Sequence, residues 1–253
     1  MIKRLELFAL PGLPMVREGD DLPALILAGL DRAGQVLRDR DVVVVAQKIV
    51  SKAEGRMVDL GDVVPSARAI ALAAEVGKDP RIVEVVMSES TKVVRSRPNL
   101  MIMQHRLGFV MANAGVDQSN VAESDGGHRA LLLPLDPDGS ARAIRAALEA
   151  QANVGVIISD SFGRPWRRGT AGVAIGSAGI PSVIDLRGQL DLFGRKLEVS
   201  IIGFADEIAA AASLLQGQAA EAQPVVVLRG LTWTAPDTPV AEVIRPAEED
   251  LFQ

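Results

Sequence analysis

The sequence predicts an α+β fold whose sheets are mixed and largely antiparallel. Four consecutive valines at 42–45 suit a strand buried on both faces. Three strand-like runs, near 92–96, 100–105 and 108–113, follow one another at hairpin spacing, which argues for antiparallel pairing. SARAIRAALEAQA, from Ser140, has the cap and the 3.6-residue period of a helix packed on a sheet.

Taken in order, residues 2–10 read as a first strand and PGLPMVREGDD as a loop of turn residues. Asp21 is placed to cap a helix with Pro23 in its first turn, and a helix of about 13 residues should then run to Gly34. DVVVVAQKIVSKAEG reads as a buried strand with a polar end. Between 66 and 90 the apolar spacing predicts two helices broken at GKDP, where Gly77 stops one and Pro80 starts the next. ALLLPLD at 130–136 reads as a strand, and VGVIISD as another that ends at Asp160. The Gly/Arg-rich FGRPWRRGTAG and a small-residue segment to Ile180 follow, then strands at 181–187 and 196–204, a helix from Asp206 and a last strand QPVVVLRG. From 235 the chain carries three prolines and an acidic run, EED, and is expected to lie as an arm on the surface or on a partner subunit. No internal repeat or low-complexity linker marks a domain boundary.

Composition narrows the function. The 253 residues are 48% apolar and 23% charged, enough for a large core. A net charge of −5 gives no basic field for a nucleic acid. The absence of cysteine removes disulfides, thiolate nucleophiles and zinc-thiolate or iron–sulfur sites, and fits a cytoplasmic enzyme. The opening residues do not read as a signal peptide, and no apolar run is long enough to span a membrane. With no tyrosine, two tryptophans and six phenylalanines, stacking platforms must be few.

Asp117, in ANAGVDQSN, and Asp160, after the VGVIIS run, are carboxylates beside turn-forming backbone. That is where an oxygen-seeking cation such as Mg²⁺ is held, with water and phosphate oxygens completing its shell. A capping or turn aspartate is the competing reading of each. Arg164, Arg167 and Arg168 of GRPWRRG suit an anionic phosphate or carboxylate, against a solvated basic loop. Lys52 could set an ammonium against a phosphate, against an ordinary surface lysine. Neither GxxxxGK[ST] nor GxGxxG after a strand is present, so a bound nucleotide needs a less familiar cradle, for which the PGLP loop and the Gly217–Gln218 turn are candidates. His105 and His128 are the two histidines and form no zinc-binding spacing. No G-x-S-x-G elbow exists, so chemistry by positioning and charge neutralisation is favoured.

Together, PGLPMVREGDDL, DVVVVAQKIVSKAEGR, HRLGFVMANAGVDQSNV, LLLPLDPDGSA, ISDSFGRPWRRG, ADEIAAAASLLQGQ, PVVVLRG and RPAEEDLF resemble the coenzyme F420-0:L-glutamate ligase (gamma-glutamyl ligase) family over nearly the whole chain. ANAGVDQSN and SDSFGRPWR, in this order and separation, are the specific motifs. The resemblance implies two intertwined α+β domains in an intimate homodimer. It implies GTP, a divalent metal (Mg²⁺ or Mn²⁺) and stimulation by K⁺. It also implies Asp117, Asp160, Ser161 and Gln218 as metal ligands, and Leu13, Pro14, Met15, Val16, Gln47, Lys52, Asn120 and the turn Gln216, Gly217, Gln218 to Gln223 as the nucleotide cradle. Gln47 stands where relatives often have Ser or Thr, Ser161 where many have Thr, and SDGGHRALLLP is longer than the usual link. The first two keep a side-chain oxygen, so binding is expected to survive.

The activity so implied is GTP-dependent: a carboxylate of F420-0 takes the γ-phosphate, the glutamate amine displaces phosphate, and further γ-linked glutamates could follow. Asp117, Asp160, Lys52, Arg164 and Arg167 are the residues expected to carry it. A metal-dependent phosphohydrolase and a non-catalytic nucleotide-binding protein are the alternatives.

Overall fold

The computed structural model describes residues 3–118 and 129–251. The valine run is the strand β2 (Val42–Ala46), and it sits at the centre of a five-stranded sheet ordered β1-β12-β2-β8-β9. Here β1 is Glu6–Ala9, β8 Gly155–Arg164, β9 Arg167–Ala178 and β12 Val225–Arg229. The β2–β8 pair is parallel and the other pairs are antiparallel. Val42–Val45, Val156, Ile157, Ile158 and Val225–Val227 are all fully buried. Each such side chain contributes roughly 1.5–3 kcal/mol on leaving water, which makes this block of β-branched residues the centre of stability.

Two helices pack on β9. In α5 (Pro137–Leu148) the buried residues Ala141, Ile144 and Leu148 recur at helical spacing, and in α6 (Phe204–Gln216) Ala205, Ile208, Ala209 and Ala212 do. The small residues of β9 make that approach possible. A Cβ at Gly172 would lie 2.3 Å from the carbonyl oxygen of Ala209, and one at Gly176 would lie 2.4 Å from that of Pro137. The helix α1 (Leu22–Arg32) buries Leu22, Ile26 and Leu30 and is capped by Asp21, whose carboxylate accepts from Ala24 N at 3.0 Å.

A second hydrophobic cluster gathers around α3 (Ala67–Val76), α4 (Pro80–Ser88) and the three-stranded antiparallel sheet β4 (Ser90–Arg97), β5 (Leu100–His105) and β6 (Val110–Ala112). Gly77, at φ 69, closes α3 as expected, and Pro80 opens α4 behind the cap Asp79. The strands β3 (Met57–Asp59) and β7 (Arg129–Leu131) pair antiparallel beside it.

Several sequence expectations need correction. DVVVVAQKIVSKAEG is not one strand: it breaks after Ala46 into the helix α2 (Gln47–Ala53), which buries Gln47, Ile49, Val50 and Ser51. Asp160 does not end its strand, because FGRPWRRGTAG continues β8 and returns as β9 in a long hairpin. Pro165 and Trp166 close it, with Trp166 at φ 65, the proline-then-positive-φ pattern of a type II turn. The cap of α5 is Asp136, accepting from Gly139 N at 2.9 Å, not Ser140. Strand 130–136 shortens to β7, while 181–187 and 196–204 keep only β10 (Ile184–Asp185) and β11 (Ile201–Ile202). β3 had no sequence signal. The C-terminal arm needs no such correction, since it lies on the surface of its own chain, one of the two places expected: Asp237 accepts from Gly179 N, Thr238 Oγ1 accepts from Ser182 N, both at 2.9 Å, and Val240 is buried. No helix of the described residues is long and apolar enough to cross a membrane.

Candidate active site

The strand order creates the site. β1 and β2 end, and β12 begins, at the same edge of the central sheet, because Ala9 pairs with Val226 and Val45 with Val225. β8 passes there too, since Ala46 pairs with Ser159. The chain beyond each strand must leave the sheet at this edge, and the segments so delivered enclose a cleft of about 380 Å³. Its walls are the loop Leu13–Val16 after β1, the segment Ala46–Ile49 with Lys52 where α2 starts, Ser159–Ser161 of β8, and the turn Gln216–Pro224 between α6 and β12. Crevices beyond strand ends are where α/β sheets commonly take ligands.

The electrostatics concentrate at one part of the cleft. Asp160 is partly buried, and that burial pushes its carboxyl up to about 6, against the hydrogen bond from the Ser161 backbone. The negative charge of Asp117 raises it further, while Lys48 and the Gln47 amide oppose the rise. Asp117 is fixed by two backbone hydrogen bonds with Leu131, at 3.0 and 2.8 Å, and its Oδ2 lies 2.7 Å from the Lys48 ammonium. Lys52, one helical turn after Lys48, has its pKa lowered by burial and by the like charge of Lys48. Gln47 is buried, and its side-chain oxygen accepts from Ser51 Oγ at 2.9 Å.

Among the expected residues, Leu13, Pro14, Met15, Val16, Gln47, Lys52, Asp160, Ser161, Gln216, Gly217, Gln218 and Gln223 all line this cleft, although they come from four distant parts of the chain. Asp117 reaches it through Lys48. Asn120 lies outside the described residues, as do His128 and the GGH link. Arg164 and Arg167 do not line the cleft: they face each other at the hairpin tip, four residues beyond Asp160, roughly 13 Å along the strand. Lys48 escaped the sequence reading. Its signal was the i,i+4 lysine pair in QKIVSK, legible only once that segment is taken as a helix.

The four residues expected as metal ligands, Asp117, Asp160, Ser161 and Gln218, would offer only oxygen donors, two carboxylates and two neutral groups; Asp160, Ser161 and Gln218 line the cleft and Asp117 pairs with Lys48 in its wall. Such a donor set suits a hard divalent cation, which takes one or two protein carboxylates and keeps its remaining positions for water and phosphate. Among the described residues no group of three or more His, Cys, Asp or Glu side chains could form an all-protein cage.

The family model described as F420-0:Gamma-glutamyl ligase matches residues 12–230, which include every wall of the cleft. The chain belongs to that family. It is 44% identical over 253 residues to the coenzyme F420:L-glutamate ligase of Methanothermobacter thermautotrophicus, covering 98% of this chain and 99% of that one. It is 44% identical over 252 residues to the coenzyme F420:L-glutamate ligase of Archaeoglobus fulgidus, covering 99% and 97%. To the protein of the same name from Halorubrum lacusprofundi it is 46% identical over 231 residues, 89% and 87% of the two chains. The family match contains the whole cleft and the second hydrophobic cluster, while Leu10 and Val240 of the first cluster lie just outside it.

Proposed function

We propose that this protein is a GTP-dependent ligase that joins L-glutamate to coenzyme F420-0 through an amide bond. The observation that carries the proposal is the cleft itself, a nucleotide-sized groove lined by Asp160, Lys48 and Lys52, with Asp117 paired to Lys48. A carboxylate is a poor electrophile because an amine must add against its charge and resonance. Transfer of the γ-phosphoryl group of GTP to the carboxylate oxygen of F420-0 releases GDP and gives an acyl phosphate. The glutamate amine, having lost a proton to solvent, then attacks the acyl carbon; the C–N bond forms, the C–O bond to phosphate breaks, inorganic phosphate leaves, and the nitrogen sheds a second proton. Repetition on the new γ-carboxylate would extend the chain.

The residues supply positioning and charge. The Leu13–Val16 loop and the Gln216–Gln223 turn hold the nucleotide across the strand ends, and Lys48 and Lys52 set two ammonium groups against its phosphates. Asp117, Asp160, Ser161 and Gln218 would hold a divalent cation, Mg²⁺ or Mn²⁺, which offsets charge gathered on the phosphate oxygens. Stimulation by K⁺ and a cytoplasmic setting belong to the same reading. So does a homodimer of intertwined subunits, supported by the exposed Leu190, Leu192, Phe193 and Val199 around the β10–β11 arm.

The test is Asp117→Asn and Asp160→Asn, each incubated with F420-0, GTP, glutamate and Mn²⁺. The reading expects both to fold and neither to make the amide. Full product from both variants would remove the acidic pair from the mechanism.

A further inference from the structure

A second cavity, of about 240 Å³, is lined by Asp117, whose ion-pair partner Lys48 lines the nucleotide cleft. One wall is apolar, made by Ile82 and Val86 of α4, Met101 of β5 and Val116. The polar groups are Lys78, Asn113, Asp117 and Gln118. The oxygen Oδ1 of Asn113 is buried with no hydrogen-bond partner among the described residues, so a potent acceptor stands uncompensated in the wall of a cavity. The backbone presenting it is strained: Asn113 and Ala114 sit at φ 50 and 51, followed by Gly115 at φ 70. Gly115 also allows no side chain, since a Cβ there would meet Leu133 at 2.8 Å. Non-glycine residues held at positive φ cluster at ligand sites, where the surrounding structure holds them in place.

From these observations we propose that this cavity is the subsite for the incoming glutamate, which deepens the ligase reading and rests on it. Lys78 is the cation for one of the amino acid's carboxylates; it lies in the turn between α3 and α4 and has no ion pair among the described residues. The apolar wall packs the side-chain methylenes. Asn113 Oδ1 accepts a hydrogen from the amine, and Asp117, next to the γ-phosphate position, brings that amine to the acyl carbon. The volume fits an amino acid. A deazaflavin is closer to the drug-sized ligands that need about 300 Å³ or more, so F420-0 itself must lie elsewhere and reach Asp117 with its carboxylate end.

The test measures the KM for glutamate, GTP and F420-0 in the wild type, Lys78→Met, Lys78→Arg and Asn113→Gly, with melting temperature as the control for folding. Glycine is chosen at 113 because it accepts the positive φ. The subsite requires the glutamate KM to rise tenfold or more in Lys78→Met and fivefold or more in Asn113→Gly. GTP and F420-0 should change less than twofold, and Lys78→Arg should recover most of the loss. A glutamate KM within twofold of wild type in both variants, or an equal rise for all three substrates, overturns the assignment while leaving the ligase standing. A wild-type protein that makes no glutamate-dependent amide overturns both.

Discussion

Glu89→Gln should cost this protein about 3 kcal/mol at neutral pH. Glu89 caps the C-terminus of α4, and its carboxylate lies 3.0 Å from the Arg56 guanidinium and 3.3 Å from that of Arg106. His105 is fully buried, with Nδ1 accepting from Leu107 N at 3.0 Å and Nε2 facing Glu89 Oε2 at 3.5 Å. Burial by itself would raise the pKa of Glu89, but His105, Arg56 and Arg106 together outweigh it and hold the carboxyl at about 2, against an ordinary 4.5. That depression of about 2.5 pH units corresponds to roughly 3 kcal/mol of stability, a large share of the ~5–15 kcal/mol typical of a native protein. Because the folded pKa is depressed, the contribution is fully present above pH 4.5 and is lost as the pH falls from there towards 2. Urea denaturation of wild type and variant from pH 7 down to 2.5 should therefore show a gap that is widest at neutral pH and closes across that window. A gap under about 0.5 kcal/mol at pH 7, or one that does not narrow in acid, would refute the reasoning.

Other perturbations test other parts of the fold and site. Asp41, nearly fully buried, accepts from Arg229 at 3.0 and 2.8 Å, so Asp41→Ala leaves a buried guanidinium without its counter-ion and should cost about 3–5 kcal/mol in denaturant unfolding. A loss below 1 kcal/mol would mean that the pair is solvated. Gly176→Val drives a side chain into the Pro137 carbonyl and should destabilise by at least about 2 kcal/mol, whereas Val at the exposed Gly163, where a Cβ meets nothing within 4 Å, should cost far less. Lys48→Met removes the ammonium that balances Asp117 and Asp160. Its melting temperature should accordingly gain more from added Mn²⁺ than that of wild type, and an equal gain would argue against a shared acidic site.

Local chemistry explains what the sequence made legible. Val42–Val45 could be little else than a two-sided strand, and Asp21, Gly77 and Pro80 fix helix ends through groups that act within a few residues. The misreadings occurred where local and non-local forces compete. Ile49 and Val50 are β-branched and seemed to prolong β2, yet Gln47, Ile49, Val50 and Ser51 bury together as a helix against the sheet. FGRPWRRGTAG looks like a loop residue by residue, and becomes strand through a hairpin register set across the pair Asp160 and Val173. β3 forms because Met57 pairs with Leu131, far along the chain. Of the cleft residues, Asp160, Lys52, the PGLP loop and the Gly217–Gln218 turn were candidates on their own chemistry, whereas Gln47, Ser161, Gln216 and Gln223 were named only from motif resemblance, since no phosphate-loop fingerprint marks them. Their convergence follows from strand order, which brings Leu13, Gln47, Asp160 and Gln218 to one sheet edge. Lys48 lies in QKIVSK and Asn113 in ANAGVDQSN, yet nothing in those stretches marked either residue, or Lys78, as a site residue; the roles proposed for them rest on the two cavities joined by the Lys48–Asp117 ion pair.

The most direct test of the account is mass spectrometry of the products formed when the purified protein is incubated with F420-0, GTP, Mn²⁺ and L-glutamate. The account predicts F420-0 heavier by one or more glutamyl residues, appearing only when GTP and glutamate are both present and accompanied by matching amounts of GDP and phosphate. Phosphate release at the same rate without glutamate, with no amide product, would contradict it.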